Sequence, residues 1–255
     1  MREKETATIV SQECIGTGVY SMWIRTKAAK EAVAGQFISV YCKDKTKLLP
    51  RPISICQVNK EKSELRIVYR VVGGGTNEMS SYKAEETIEI IGPLGNGFFK
   101  RPKKKAILIG GGIGIPPMVQ LAKELKEIAE VSIVAGYRDE LFLTKELEQN
   151  GKLYIATEDG SCGTKGTVID VIKEQKVEGD VIYACGPTPM LRAIKEYAKE
   201  KNLECQLSLE ERMACGIGAC LACVCQTKEK DEHSNVFNKR ICKDGPVFLA
   251  EEVEL

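Results

Sequence analysis

Cysteines are concentrated near the carboxyl end of this chain. Of 11 cysteines in 255 residues, four fall between positions 215 and 225, and one more follows at position 242. In a reducing compartment such thiols are more often metal ligands or buried side chains than disulfides. The segment 203–255 is also too short to bury an adequate core unaided. The sequence therefore predicts a small subdomain whose fold depends on a bound metal cluster.

The spacing of these cysteines indicates the kind of cluster. Cys215, Cys220 and Cys223 form C-x4-C-x2-C, and Cys242 is the only cysteine after the loop. This is the plant-type [2Fe–2S] spacing, in which four thiolates converge on two irons. The small residues between the first two cysteines let the backbone fold back and point N–H groups at the sulfurs. We therefore predict a [2Fe–2S] cluster on these four residues, with Cys225 as a core thiol on the opposite face of a strand-like run.

A structural zinc site is the main alternative for the same cysteines. Zinc sites usually present two C-x2-C pairs, and the second pair is missing here. At the sequence level this alternative stays open, as a zinc-stabilised binding module without enzymatic activity. Iron content and visible absorbance of the purified protein distinguish the two.

Hydrophobic patterning divides the rest of the chain into two parts. From residue 6 to about 92, short β-rich runs separated by turns predict an antiparallel barrel, interrupted by one helix at 77–82. After the basic run 100–105, predicted to be a solvated linker, strands alternate with glycine turns and helices. This rhythm predicts a parallel sheet covered on both faces. We predict three units: a β-barrel domain at 1–100, an α/β domain at 101–202 and the metal-cluster subdomain at 203–255.

Charge and hydropathy exclude several classes of partner. Lys plus Arg number 37 against 36 Asp plus Glu, so no whole-molecule field favours nucleic acid or an anionic membrane. No apolar signal core and no run of about 18 apolar residues occurs. We expect a cytoplasmic protein that binds neither nucleic acid nor membrane. The only histidine, His233, is predicted to be a solvated loop residue, so imidazole catalysis is not expected.

Two glycine turns predict a nucleotide site. The hydrophobic strand 107–109 leads into the turn 110–114 and then a helix, an arrangement that lets diphosphate approach the helix N-terminus. The turn is not a regular GxGxxG, and a tight strand-to-helix turn without a ligand also explains it. A second turn at 185–190 ends a later strand of the same sheet, so both turns should border one crevice. We predict that five residues bind a nicotinamide nucleotide there: Gly111, Gly112, Gly114, Cys185 and Gly186.

The two predicted electron carriers exchange electrons differently. Nicotinamide delivers two electrons as hydride, whereas an iron–sulfur cluster accepts them singly. A flavin can do both, so we predict one in the β-rich domain. Arg51 is suited to its diphosphate and Ser54 to its ring, and the turn 73–76 before a helix offers a second phosphate contact. Each segment alone is explained equally well as an ordinary turn or barrel position.

With these motifs in order, the chain resembles the ferredoxin-reductase-like flavoproteins over nearly its full length. The strings that carry the resemblance are RPIS at 51–54, GGGT at 73–76, GGGIGIPPM at 110–118 and CGPTPML at 185–191. Two further strings, MACGIGACLACVC at 213–225 and CKDGPVF at 242–248, make the resemblance more specific. The chain is similar to the electron-transfer subunits of the NAD-dependent, class 1B dihydroorotate dehydrogenases. The stretch between Cys223 and Cys242 is longer than this family leads us to expect.

The resemblance implies specific cofactors and a partner. It implies a heterotetramer with two FMN-bearing catalytic subunits, in which electrons from dihydroorotate pass through FMN, the cluster and FAD to NAD+ in pyrimidine synthesis. It also favours NAD over NADP, which the sequence alone leaves open. FAD would contact Arg51, Pro52, Ile53, Ser54, Val68, Tyr69, Arg70, Gly75 and Thr76.

The sequence shows no group of residues suited to oxidising a substrate, which agrees with a separate catalytic subunit. No paired carboxylates and no Ser/His arrangement are present for chemistry on a carbon acid, so no catalytic residue is predicted and substrate oxidation is expected on a partner subunit. The alternative function within the same superfamily is the small subunit of an NADPH:ferredoxin or sulfide-linked oxidoreductase, which shares these modules.

Overall fold

A computed structural model describes residues 3–230 and 235–255, so the prediction for His233 lies outside the described residues. The first part of the chain is a closed antiparallel barrel with strand order β1-β2-β5-β4-β3-β6. Its interior is filled by alternate residues of each strand, among them Ile9, Met22 and Ile67, all fully buried. The strands are β1 (Lys4–Gly16), β2 (Val19–Arg25), β3 (Phe37–Tyr41), β4 (Arg51–Asn59), β5 (Glu64–Arg70) and β6 (Thr87–Leu94).

The barrel contains one α-helix, α1 (Gly74–Ser80), which begins before the predicted start at Asn77. The hydroxyl of Thr76 accepts hydrogen bonds from the backbone N–H groups of Val72 and Gly73, at 2.9 and 3.2 Å. The two N–H groups that lie just before the helix are thereby satisfied. The predicted boundary was wrong because local capping outweighs the low helix propensity of glycine.

The second part of the chain is built on a seven-stranded sheet of order β10-β9-β8-β7-β11-β12-β15. All neighbouring strands are parallel except β12 and β15, which are antiparallel. Its strands are β7 (Lys105–Gly111), β8 (Glu130–Tyr137), β9 (Lys152–Thr157), β10 (Thr164–Lys165), β11 (Val181–Cys185), β12 (Glu204–Ser208) and β15 (Val247–Leu249). Its helices are α2 (Pro116–Leu125), α3 (Thr144–Glu148), α4 (Val168–Glu174) and α5 (Thr188–Lys201). The predicted class, a barrel followed by an α/β domain, is confirmed.

The last part of the chain contributes to this sheet as well as forming its own. Strands β12 and β15 extend the large sheet, whereas β13 (Val224–Gln226) and β14 (Asn238–Arg240) pair only with each other. Strand β15 was not predicted, and it holds the cysteine-rich segment against the α/β domain. The sheet thus continues past the predicted boundary after Asn202, and the predicted division at 202 and 203 stays a prediction.

The barrel and the α/β domain share a common core. The backbone N–H of Val58 donates to Oε1 of Gln120 at 2.8 Å, and Arg66 pairs with Glu146 at 2.8 Å, both across the interface. Apolar residues of both parts, including Val68 and Ile115, belong to one buried cluster. Contact between the two parts brings the outer face of the barrel close to the ends of the sheet.

The basic run between the domains is partly held by ion pairs. Lys100 contacts Glu124 at 2.9 Å, and Arg101 contacts Glu204 at 2.8 Å. Residues 100–105 are nonetheless all exposed, which agrees with the predicted solvated linker. Among the described residues, none of the helices has the length and apolar character needed to span a bilayer.

Candidate functional site

The two glycine turns meet at one edge of the large sheet. Strands β7 and β11 are parallel neighbours, with Cys185 opposite Gly110. The turns that follow the two strands therefore leave the sheet at the same level. A Cβ on Gly114 would lie within 3 Å of the carbonyl of Cys185 and the nitrogen of Gly186. Backbone packs directly on backbone there, so a larger residue cannot fit. The structure brings together the nucleotide residues predicted from the two separate motifs.

Gly111 and Gly186 are restricted in the same way. A Cβ on Gly111 would overlap the Met190 side chain, and one on Gly186, where φ is +159°, would lie 3.2 Å from the nitrogen of Gly111. By contrast, a Cβ on Gly112 would meet nothing within 4 Å, and its positive φ of +53° is the feature that favours glycine. The turns are therefore shaped by packing at three positions and by backbone conformation at one.

Beside the glycine turns lies a cleft of about 730 Å³ at the carboxyl ends of β7, β8 and β9. Gly111 and Gly112 line one side, Arg138 and Glu158 another, and Tyr197 of α5 a third. This is the edge at which open parallel sheets bind ligands. The cleft is large enough for a nucleotide and has both an apolar wall and charged groups.

Cys185 is buried beneath this cleft. Its side chain is 1% exposed, and burial raises the pKa of the thiol to about 12. The nearby carboxylate of Glu210 contributes a smaller part of this rise in pKa. Sequence reasoning did not select Glu210, which follows β12 beside the end of β11. The pairing of Ser208 with Cys185 in the sheet is the signal that places it there.

On the barrel side, Arg51 lies against the first turn of α1. A Cβ on Gly75 would fall inside the guanidinium group of Arg51, so only glycine leaves room for this side chain. One guanidinium nitrogen donates to the carbonyls of Lys47 and Leu49, which fixes the group and leaves other N–H groups for a ligand. This cradle fits the diphosphate of FAD, because a fixed guanidinium binds phosphate oxygens in pairs.

The other predicted flavin residues lie on neighbouring strands. Phe37 of β3 pairs with Ser54, and the next pair on the same face joins Ser39 to Pro52. Val68 of β5 also faces outward, since it packs in the cluster shared with the α/β domain. These side chains all lie on the outer side of the barrel, away from its interior.

Four predicted residues take other positions. The Tyr69 ring is buried inside the barrel, where its hydroxyl donates to Gln12 at 2.8 Å, so only its backbone borders the outer face. Ile53 packs against the same barrel core. Arg70 is exposed beside the face, and the Thr76 hydroxyl is used in capping α1.

The cysteine loop places its thiols in pairs. The Sγ atoms of Cys215 and Cys220 are 3.3 Å apart. Burial raises the pKa of the Cys242 thiol to about 12, and the neighbouring Cys223 thiol contributes to this rise. Cys223 and Cys242 therefore also lie close together. In residues 3–230 and 235–255 no three metal-binding side chains surround one point. Two pairs suit the two irons of a [2Fe–2S] cluster better than a single zinc ion.

Backbone groups around Cys215 favour a thiolate. Burial alone would raise the pKa of this thiol, but backbone N–H groups of Cys220 and Ile217 lower it to about 6. The turn that aims them depends on Gly216 and Gly218, whose φ values are +68° and +84°. N–H groups directed at a sulfur are the surroundings that a cluster ligand needs.

A buried arginine holds the loop from outside. The Arg240 side chain donates to the carbonyl of Gly218 at 3.1 Å and pairs with Asp244 at 3.2 Å. The Cys225 thiol is partly buried and contacts the carbonyl of Lys239 at 3.6 Å, and its predicted orientation away from the other thiols stays a prediction. The ligand loop also touches the barrel, because Gly216 lies against Ser39 of β3.

Comparison with protein families agrees with this arrangement. Residues 210–254 match the iron–sulfur cluster binding domain of dihydroorotate dehydrogenase B. Residues 108–196 match the oxidoreductase NAD-binding domain. The first match includes all four predicted cluster ligands, and the second includes both glycine turns. The predicted iron–sulfur and NAD cofactors are confirmed, and the zinc alternative is disfavoured.

A solved structure of another protein shares this fold. It is described as an NADH-dependent reduced ferredoxin–NADP oxidoreductase that informs flavin-based electron bifurcation. It shares 31% identity with this chain at a TM-score of 0.88, covering 97% of this chain and 89% of the other. The fold alone therefore does not separate the two functions predicted from the sequence, and the flavin prediction agrees with this similarity.

Curated relatives distinguish between the two functions. The dihydroorotate dehydrogenase B (NAD(+)) electron transfer subunit of Caldanaerobacter subterraneus subsp. tengcongensis is 44% identical over 253 residues, which cover 99% of each chain. The protein of the same name from a Geobacillus species is 43% identical over 263 aligned residues, 100% of each chain. Both identities exceed that of the oxidoreductase structure. The chain belongs to the family of dihydroorotate dehydrogenase B electron transfer subunits.

Proposed function

We propose that this chain carries electrons between a catalytic subunit that oxidises dihydroorotate and NAD+, the role that its relatives' name describes. The observation that carries the proposal is the direct contact of the cysteine loop with the outer barrel face, through Gly216 and Ser39. When bound, FAD exchanges hydride with nicotinamide and single electrons with the cluster. Contact between the two regions keeps the transfer distance within one polypeptide short.

On the barrel, the proposed residues divide into two groups. Arg51 holds the diphosphate of FAD, with Gly75 providing the space and Thr76 fixing the turn. The flavin ring lies on the outer face, where Ser54 offers a hydrogen bond. The remaining proposed contacts shape or border that face: Pro52, Ile53, Val68, Tyr69 and Arg70.

In the α/β domain, the two turns position the nicotinamide nucleotide. Gly111, Gly112 and Gly114 leave the backbone open to the diphosphate, and Gly186 keeps the second turn close to the first. Cys185 remains a neutral thiol at neutral pH, because burial raises its pKa to about 12. Its role is to fill space beside the nicotinamide without adding charge.

In the last subdomain, Cys215, Cys220, Cys223 and Cys242 are the proposed ligands of a [2Fe–2S] cluster. Two apolar residues of the ligand loop, Ile217 and Leu221, are 52% and 60% exposed. Exposed apolar groups beside a redox centre suit contact with another protein. We place the catalytic subunit on this side, carrying FMN and assembling as two copies of each subunit in the cytoplasm.

Reconstitution with candidate partners tests the proposal. The purified chain is mixed anaerobically with an FMN-containing, dihydroorotate-oxidising subunit, and NADH formation from dihydroorotate is followed together with the mass of the complex. We expect NADH only when both are present, in a complex of two copies of each. Turnover with ferredoxin and NADPH in the absence of that partner would support the alternative oxidoreductase function instead.

A further inference from the structure

Ser39 stands out among the described residues because its hydroxyl has no hydrogen-bond partner. Its side chain is 1% exposed, and its Oγ is the only buried side-chain nitrogen or oxygen of residues 3–230 and 235–255 without a partner. Leaving such a group without a hydrogen bond destabilises a fold. A buried polar group that a fold tolerates at this cost requires an explanation.

The position of Ser39 on β3 shows which way it faces. Its neighbours Ile38 and Val40 are in the barrel core. Side chains alternate along a strand, so Ser39 and Phe37 face outward. Phe37 belongs to the buried cluster that includes Ile241 and Cys242. Ser39 therefore faces the cysteine-rich subdomain rather than the interior of the barrel.

Two sites converge on this hydroxyl. Ser39 pairs with Pro52 of β4, next to the proposed flavin face, and on its other side with Ile91 of β6. A Cβ on Gly216 would lie 2.8 Å from Oγ of Ser39, so the residue after Cys215 is in contact with the hydroxyl. Ser39 thus lies between the flavin face and the cluster loop.

The chemistry of the loop supplies the missing partner. A cluster with four thiolates is anionic, and its sulfurs accept hydrogen bonds from surrounding donors. A serine hydroxyl donates one hydrogen bond and needs no change of charge to do so. The peptide N–H groups near Cys215 already point at its sulfur, and Ser39 approaches the same segment from the barrel.

We propose that Ser39 is a positioning residue whose hydroxyl donates a hydrogen bond to the cluster-bound sulfur of Cys215. This proposal rests on the cluster ligation proposed above. The bond holds the loop against the barrel strand next to the flavin face and stabilises the reduced cluster, whose extra electron makes the sulfurs stronger acceptors. Ser39 therefore raises the reduction potential of the cluster and keeps it close to the flavin.

The test compares reduction potentials of the cluster in the full chain, measured by redox titration monitored by electron paramagnetic resonance. Ser39→Ala is expected to reduce the equilibrium constant for one-electron reduction about tenfold, a potential lower by ~59 mV. Iron and FAD contents and the FAD potential should stay at wild-type values. The matched control is Ser21→Ala, a serine of the same barrel that is 1% exposed and accepts from Arg66, away from the cysteine loop. Its cluster potential should equal that of wild type.

A second pair of variants keeps the test decisive if Ser39→Ala loses the cluster. Ser39→Thr retains the hydroxyl and should keep the wild-type potential, whereas Ser39→Val has the same shape without the hydroxyl and should show the lowered one. Equal cluster potentials in these two variants would overturn the proposal, as would a shift confined to FAD. A wild-type protein that holds no iron would instead remove the proposed function itself.

Discussion

The glycine turns and the cysteine loop, the two redox ends of this chain, are built in different ways. The turns end neighbouring parallel strands, and Gly114 packs on the backbone of Cys185, so folding of the sheet alone shapes the nucleotide site. The loop contains no helix or strand between Ser208 and Val224. Its order comes from paired thiols, directed N–H groups and one arginine. The first site is preformed, whereas the second requires its cluster.

The largest effect should follow from removing one thiol of the loop. Cys223→Ser leaves three of the four ligands, so we expect loss of most of the iron while FAD binding and its reduction by NADH persist. The matched control is Cys225→Ser in β13, two residues further on, whose thiol contacts the carbonyl of Lys239 and is not a proposed ligand. Iron analysis and the visible spectrum are the measurements. Retention of a full cluster by Cys223→Ser, or its loss from Cys225→Ser, would break the comparison.

At the preformed site, a single methyl group should damage binding while sparing the cluster. Gly114→Ala places a Cβ within 3 Å of the Cys185 carbonyl, an overpacking that costs about 1–3 kcal/mol. We expect NADH affinity to fall about tenfold or more, with iron content unchanged. Gly112→Ala meets no neighbour and has only the strain of a positive φ, so its effect should be smaller. Equal losses of affinity for the two variants would contradict a site shaped by backbone packing.

Arg240 contacts the cysteine loop directly rather than through a cluster. Its replacement should make the cluster easier to lose without preventing its binding. Arg240→Gln loses the hydrogen bond to Gly218 and leaves Asp244 without its cation. We expect chelator-driven iron loss to accelerate about tenfold, the equivalent of one charged hydrogen bond of ~1.4 kcal/mol. Arg212→Gln, at an exposed position before the loop, is the control. An unchanged rate in Arg240→Gln would show that the cluster alone orders the loop.

The smallest effect concerns the support of the barrel site and depends on pH. Burial raises the pKa of the Glu78 carboxyl, but hydrogen bonds from Lys47 and Tyr82 outweigh it and lower the pKa to about 2. Because the folded pKa lies below the usual value of 4.5, the carboxylate stabilises the fold above about pH 4.5. That contribution is lost as the pH falls towards 2.

Thermal unfolding across pH measures this contribution. Glu78→Gln should lower the Tm by about 2–4 °C at pH 7, as expected for ~1 kcal/mol in a chain of this size. The difference from wild type should shrink between pH 5 and pH 3. Glu61→Gln, on an exposed turn of the same barrel, should leave the Tm unchanged throughout. A difference for Glu78→Gln that is as large at pH 3 as at pH 7 would exclude titration of this carboxyl as its source.

Sequence patterns identified features that depend on local periodicity or fixed spacing. The barrel, the parallel sheet, both glycine turns and the four spaced cysteines were predicted because each has a short-range signature. Strand β4 was less visible, since Arg51 and Pro52 resemble a turn, yet proline is tolerated at the start of a strand. Strand β15 is only three residues long and was missed for lack of a repeating pattern.

Features that depend on tertiary contact could not be predicted. Nothing local to Tyr69 shows that its ring lies in the barrel core, because the face a strand residue occupies depends on the register of the closed sheet. The contact of Ser39 with Gly216 joins positions far apart in the chain. Such pairs arise from how the units pack, which sequence spacing does not encode.

The most direct test of the account is the number of electrons that one chain accepts. Purified wild-type protein is titrated anaerobically with dithionite while flavin absorbance and the paramagnetic signal of the reduced cluster are recorded. Uptake of about three electrons per chain, two by FAD and one by a [2Fe–2S] cluster, is the predicted result. Uptake of about two electrons without an iron signal, or of one without flavin bleaching, would contradict the presence of both carriers in this polypeptide.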